Sequence, residues 1–321
     1  MFQKLDTTIT TTSIVDNIFE EVKIHSPADY GFDLAIAFKA DGVDYMQDPT
    51  AFTVEMKQVE QEWDGTGEGS DFNRTKTLMD FEQCGDTGFN YSSAEEIKRV
   101  GIDEFYCPVN NNYTVAGSFY AKSFHYLELK VKKCLGAGCK DESEIDDIMK
   151  ESRFSLALVN SIIDSSNYDE PIQKVVDDAQ YWELTPGIRK KTDILIRYNE
   201  AEFEDNYVQL GFEETKYFYQ VVDWVDRFEA ESDEGDVLTV YFRIDKVSEQ
   251  YKRQIFSLGE LVGQAGGFYG ALLSIGVIFI TFFSDRLFAA AILRRIYQID
   301  TWQEREQLGK EKPRRQNYVE E

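Results

Sequence analysis

Leu261 to Phe283 reads LVGQAGGFYGALLSIGVIFITFF, twenty-three residues with no charge and one amide, Gln264. At a helical rise of about 1.5 Å per residue, a bilayer core of about 30 Å takes roughly 20 apolar residues. No other stretch of this chain meets that length. Core helices of soluble proteins rarely run so far without a charge, so the segment reads as a transmembrane helix over 259–284. The rest of the chain has to be folded by something that lives beside lipid.

The first half of this run is rich in small residues. Gly263 and Gly267, Gly266 and Gly270, and Gly270 and Ser274 are each four apart and share a helix face. Such a face lets a second helix approach closely in lipid, so another transmembrane helix is an expected partner, alongside membrane lipid itself. Glycine is also common in membrane helices for no such reason. The second half, Leu272 to Phe283, is bulky and suits lipid contact. Leu287–Ile296 follows, with Arg294 and Arg295, and either prolongs the helix or lies along the surface.

Before the helix, the pattern is that of short strands. Phe32–Lys39 (FDLAIAFK), Ala51–Trp63, Tyr113–Gly117, Ser123–Lys133, Phe154–Ile163, Ala179–Leu184, Thr192–Tyr198, Thr215–Phe228 and Val237–Val247 are apolar or alternating. In Ser123–Lys133, Phe124, Tyr126, Glu128 and Lys130 fall on one face; His125, Leu127, Leu129 and Val131 fall on the other. Ser93–Val100 and Asp141–Glu151 read as short helices, the first with Ser93 as N-cap. Glu229–Asp236 (EAESDEGD) reads as a hairpin loop. The expected fold is mainly β, an antiparallel β-sandwich-like domain with short helices and a C-terminal transmembrane helix. The expected divisions are an extended segment over 1–30, the β-rich domain over 31–247, a neck over 248–258, the helix over 259–284 and a basic tail over 285–321.

All four cysteines, Cys84, Cys107, Cys134 and Cys139, fall in one window. Cys134 and Cys139 flank LGAG, short enough to close locally, which would leave Cys84 for Cys107. Four cysteines permit three pairings, and spacing does not choose among them. A metal site fits less well, because the spacing is not C-x-x-C and the two histidines, His25 and His125, stand in no zinc pattern. Three N-x-S/T sequons, at Asn73, Asn90 and Asn112, occupy the same window. Disulfides and glycosylation both belong to an oxidising lumen or the cell exterior.

The formal net charge is −25. The residues after Phe283 hold eight basic and seven acidic side chains, so about −26 sits on the rest of the chain. An acidic surface of that size excludes nucleic acid as a partner. Lys246, Lys252 and Arg253 before the helix are matched by Arg286, Arg294 and Arg295 after it. Only the farther tail tips the balance toward a cytoplasmic C-terminus. The expected orientation places the N-terminal domain in the lumen or outside the cell; the reverse, a cytoplasmic domain, is the competing reading. Met1–Asn17 has no apolar core of signal-peptide length, so an upstream membrane segment, beyond the chain in hand, is expected to direct translocation.

Three passages together carry a resemblance: GFDLAIAF, CPVNNNYTVAGSFYAKSFHYLELKVKKC, and YFRIDKVSEQYKRQIFSLGELVGQAGGFYGALLSIGVIFITFFS. They resemble a group of uncharacterised protist two-pass membrane proteins with one helix near each end and a cysteine-bearing ectodomain between. The neck and the GG before the apolar run are also distantly similar to the cargo-receptor family of the ER–Golgi intermediate compartment. Neither resemblance implies catalytic residues, and the missing N-terminal helix departs from both.

No G-x-S-x-G, H-E-x-x-H, P-loop or dinucleotide fingerprint is present. Gly65–Gly69 opens no helix and carries an acid that repels phosphate. His125 lies on the apolar face of its strand, where a hydrogen-bonded core histidine is the simpler reading. The acidic runs lack calcium-loop spacing and read as solvated faces. Tyr217–Trp224 reads as sheet packing. No catalytic residue, cofactor or metal is expected. Three functions compete: a membrane-anchored binding or adaptor protein with a protein or glycan ligand, a subunit of a channel or transporter, and an ecto-enzyme. A pathway through the membrane needs lining polar groups, of which the helix offers Gln264 and small hydroxyls. The adaptor reading is therefore preferred.

Overall fold

The computed structural model describes residues 7–17, 22–65, 72–85, 88–89, 94–208, 214–231 and 234–297. Two units make up the chain, Met1–Ile255 and Phe256–Glu321.

Strands of the first unit run β1 (Thr7–Val15), β2 (Leu34–Ala40), β3 (Val43–Asp44), β4 (Phe52–Trp63), β5 (Phe72–Met79), β6 (Phe81–Gln83) and β7 (Tyr106–Pro108). They continue with β8 (Ser123–Lys133), β9 (Ser152–Ile163), β10 (Ile172–Glu183), β11 (Ile188–Glu204), β12 (Glu214–Ala230), β13 (Asp236–Ile244) and β14 (Val247–Ile255). Helix α1 (Ala94–Val100) lies between β6 and β7, and α2 (Glu142–Glu151) between β8 and β9. One sheet has the order β1-β14-β11-β13-β8-β4-β5, with β12 also on β11; the other has the order β10-β9-β2-β7-β6, with β3 on β2.

The two sheets share one core. Leu34, Ile36 and Phe38 of β2 and Phe154, Leu156 and Leu158 of β9 meet Leu127, Leu129 and Val131 of β8 and Val240 and Phe242 of β13. Phe38 is fully buried, with its ring 4.9 Å from Phe52 and 5.8 Å from Phe154. Ile145 and Met149 of α2 join the same cluster. The opposite face of β2 and β9 is also covered: Ala35, Ala157 and Val159 pack with Ile97 of α1, Phe89, Ile102, Cys84 and Cys107. Burial on both faces explains why FDLAIAFK is apolar without alternation. On β8, where Phe124 and Tyr126 form a separate outer cluster with Val59, the two faces divide as the alternation requires. The β2–β3 hairpin closes through Asp41 (φ 48°) and Gly42 (φ 78°), the positive-φ pair that a two-residue turn matching strand twist demands.

Several expectations are corrected. Glu229–Asp236 is not a hairpin loop, because β12 and β13 do not pair; they flank β11, β12 antiparallel and β13 parallel to it. β14 is also parallel to β11, so the first sheet is mixed rather than wholly antiparallel. The neck over 248–258 is mostly β14, paired with β1 and β11, which extends the sheet unit past 247 to Ile255. The 1–30 segment contributes β1 to that sheet. Tyr113–Gly117 makes only isolated bridges, His25 to Val115 and Ala116 to His125. β10 and β11, consecutive in the chain, belong to different sheets. Ser93 lies outside the described residues.

The second unit is helix α3, Leu258–Tyr297. A capping box starts it: Glu260 N–H donates to Ser257 Oγ at 3.1 Å, and Ser257 N–H donates to Glu260 Oε2 at 2.9 Å. The helix is apolar all round and long and apolar enough to cross a membrane. Its 40 residues span about 60 Å, roughly twice a bilayer core, so the segment after Phe283 prolongs the helix. No residue of α3 is buried; added Cβ atoms at Gly263, Gly266, Gly267 and Gly270 meet nothing within 4 Å, and Ser274 donates back to the Gly270 carbonyl at 2.9 Å.

Candidate functional site

The β11–β12 ladder places Tyr198 directly opposite Tyr219, and Glu200 opposite Tyr217. Residues two apart on one strand share a face, so three tyrosines gather on one side of this pair of strands. Tyr198 stacks on Tyr217 at 5.6 Å with an interplanar angle of 16°, and lies 5.5 Å from Tyr219.

The segment before β2 brings two more rings. His25 is pinned by paired backbone bonds with Val115, of 3.0 and 2.9 Å. Pro27 then opens a 3-10 turn that ends at Gly31, whose φ of 79° a left-handed cap requires. This turn sets Tyr30 against Tyr219 at 5.7 Å and Tyr217 at 6.1 Å. The His25 ring lies 4.8 Å from that of Tyr198, and its Nδ1 is 3.1 Å from the Tyr219 hydroxyl.

Two cavities open on this cluster. One, of about 210 Å³, is lined among others by Asp16, Lys23, His25, Tyr198, Glu200 and Asp245. The other, of about 440 Å³, is lined by Lys23, Asp29 and four of the rings, His25, Tyr30, Tyr198 and Tyr219, with Ile24 and Ser26. Gly117 lines the first cavity at φ +60°, where an added Cβ would meet the Ser123 carbonyl oxygen at 2.1 Å.

Burial lowers the pKa of His25 below 6.5; Lys23 lowers it further, and Asp16 acts in the opposite sense. Burial also raises the pKa values of Tyr198 and Tyr219, and neighbouring tyrosines and the carboxylates Glu200, Asp16 and Asp29 add to it. These shifts favour the neutral forms of His25, Tyr198 and Tyr219. A folded-state histidine pKa below the unfolded value favours the native state above pH 6.5; that contribution is lost as pH falls through the folded value. With two histidines in the chain, ring NMR signals of the full-length protein in micelles resolve this. We expect the His25 midpoint below 6.5, and Lys23→Gln to move it upward; a midpoint above 6.5 would refute the assignment.

His125 has the satisfied environment expected of it: Nε2 is 2.7 Å from Glu62 Oε1 and Nδ1 is 2.8 Å from Thr114 Oγ1. Cys84 joins Cys107, and Cys134 joins Cys139. Asn73 and Asn112 are exposed, while Asn90 lies outside the described residues. The reading of Tyr217–Trp224 as sheet packing holds for Phe218 and Tyr219, which are buried, but Tyr217 and Trp224 are 38% and 46% exposed. None of the five cleft rings stood out as a site residue in the sequence. The tyrosine alternation in KYFYQ is the one local signal, and its partners Tyr198 and His25 come from remote segments.

A family model described as the uncharacterised 80 kDa protein N-terminal domain matches residues 35–245. No curated protein matches the chain. Among solved structures, a proton-activated chloride channel is similar over 92% of this chain and 88% of its own, at 10% identity and a TM-score of 0.27. Erv41p is similar over 76% of this chain and 99% of its own, at 9% identity and a TM-score of 0.26. Likenesses this distant carry no functional argument.

Proposed function

The chain belongs to the family of the uncharacterised 80 kDa protein N-terminal domain, and we propose that it is a membrane-anchored, non-enzymatic binding protein whose ligand enters the aromatic cleft. The observation that carries this reading is the gathering of His25, Tyr30, Tyr198 and Tyr219 along two cavities, with Tyr217 stacked on Tyr198. Ligand sites are commonly concave, lined by aromatic side chains, with a few polar groups for orientation.

The helix α3 spans the membrane in this reading, and the sheet domain faces an oxidising lumen or the exterior. Two disulfides favour that side, as do the exposed sequon residues Asn73 and Asn112, which we propose are glycosylated. This placement agrees with the two-pass and cargo-receptor resemblances of the sequence. The Gly263, Gly266, Gly267, Gly270 and Ser274 face takes a second helix; Gly267→Leu then weakens association in a membrane two-hybrid assay, and unchanged association removes the contact from the account.

The cleft is tested by probing glycan and peptide arrays with the full-length protein and its Tyr198→Ala variant, folding being checked by near-ultraviolet circular dichroism. Capture that disappears in the folded variant supports the cleft. Equal capture by both proteins contradicts it.

A further inference from the structure

We propose that the larger cavity is a recognition site for a small alkylammonium cation, of the class that includes choline. This rests on the reading of the cleft as the binding surface and narrows its ligand.

The arrangement of the rings carries the inference. Four of them, His25, Tyr30, Tyr198 and Tyr219, line one cavity of about 440 Å³. Their planes are inclined to one another: 50° for His25 and Tyr198, 53° for Tyr198 and Tyr219, 55° for Tyr30 and Tyr219, and 82° for His25 and Tyr219. A sugar ring stacks on a flat platform. These rings contact one another at 4.8 to 6.0 Å between centroids and together give the cavity an aromatic wall of several orientations. A cation with methyl groups on every side gains from each face it meets and is cheap to dehydrate, which is the basis of aromatic cages.

The charges around this wall agree. Asp29 lines this cavity, and Asp16 and Glu200 line the adjoining one. Among the described residues, none of the three carries a salt bridge. Arg197 on β11, the same strand as Tyr198, is already held by Asp245 and Glu249, with Nη1 2.6 Å from Glu249 Oε1. Lys23 is the basic side chain that lines both cavities, and it is exposed. Carboxylates therefore outnumber free cations around the aromatic wall. That field rejects an anion and gives a neutral ligand no advantage. Among the described residues, Lys23 is the one lining charge that opposes a cationic ligand.

The test uses the full-length protein in maltoside micelles with labelled histidine, and follows the His25 ring signal. Choline is titrated into the high millimolar range beside 3,3-dimethylbutan-1-ol, its uncharged carbon isostere. Choline is expected to move the signal and the isostere to leave it in place. Tyr30, 44% exposed, can be changed without emptying the core. We expect Tyr30→Leu to weaken choline about 10-fold, Tyr30→Phe to restore it, and Lys23→Gln to strengthen it several-fold. Phosphocholine, run in parallel, separates two sources of the same chemistry. A lipid headgroup ligand keeps the shift, whereas a free cation loses affinity when a phosphate meets Asp29. Equal binding of choline and its isostere overturns the proposal, as does the absence of any shift with either. Both failures leave the cleft reading intact, because that reading stands or falls on the Tyr198→Ala array experiment.

Discussion

Replacing Cys84 and Cys107 together by alanine lowers the stability of the sheet domain by about 3 to 5 kcal/mol, a large part of what a domain of this kind possesses. The two residues are 23 apart in sequence, and a loop of that length returns roughly 3 kcal/mol of chain entropy to the unfolded state when it is cut. The remainder comes from packing. Both cysteines are almost fully buried, and they hold Phe89, Ile97 and Ile102 against the outer face of β2 and β9. Losing the bridge frees that layer and bares Ala35, Ala157 and Val159. The Cys134–Cys139 bridge makes the contrast. It closes a loop of 5 in sequence at the half-buried β8 end, where the same entropy relation gives only about 2 kcal/mol. Denaturant unfolding of the two double-alanine variants, followed by tryptophan fluorescence, ranks them. A smaller loss for the Cys84–Cys107 pair than for the other would show that the outer layer contributes little.

The second large effect belongs to α3. Leu272→Lys with Ile275→Lys places two charges near the middle of the Leu261–Phe283 run. Each exchange costs about 3 to 4 kcal/mol of insertion free energy at the helix centre, so the pair removes most of the gain from the remaining apolar residues. The protein should pass from the carbonate-resistant membrane fraction into the extract. The capping box at Ser257 and Glu260 lies outside the substituted turns, so the helix keeps its start. A variant that still resists extraction would mean that α3 is held by something other than lipid. Wild-type protein that is itself extracted would mean that α3 does not span the membrane.

How legible each part was depended on how local its cause is. The bounds of β8 follow from its own alternation, because one face meets the shared core and the other an outer cluster of Phe124 and Tyr126. The apolar run of α3 is equally self-contained. β14 was hidden because VSEQYKRQI is polar throughout one face and carries Glu249 and Arg253 on the other. It is a strand through its ladders to β1 and β11, and its buried Arg253 is neutralised by Asp205 and stacked near Phe203 and Tyr168. No window around residue 250 contains those partners. The placement of β12 and β13 on opposite sides of β11 was hidden for the same reason, since a short acidic linker looks like a hairpin turn from within.

The cleft is the most distant case. Tyr198 and Tyr219 meet through a strand ladder, but His25 reaches them from a segment almost two hundred residues earlier in the chain. A lone histidine before a strand, and tyrosines at alternate positions, have ordinary packing explanations one at a time. Their convergence is a property of the sheet topology, and so is the chemistry proposed for it. The capping box of Ser257 and Glu260 marks where α3 begins, and the expected start at 259 did not draw on it.

We propose that the sheet domain lies on the oxidising side of a membrane, and sidedness in sealed microsomes tests that most directly. The full-length protein is expressed, treated with glycosidase, and separately exposed to a thiol-alkylating mass tag in detergent with and without reduction. The expected result is a mobility shift on deglycosylation, abolished by Asn73→Gln with Asn112→Gln if Asn90 is unmodified, and thiols that alkylate only after reduction. No glycosidase shift, with all four cysteines alkylated before reduction, would place the domain in the cytosol and contradict the account.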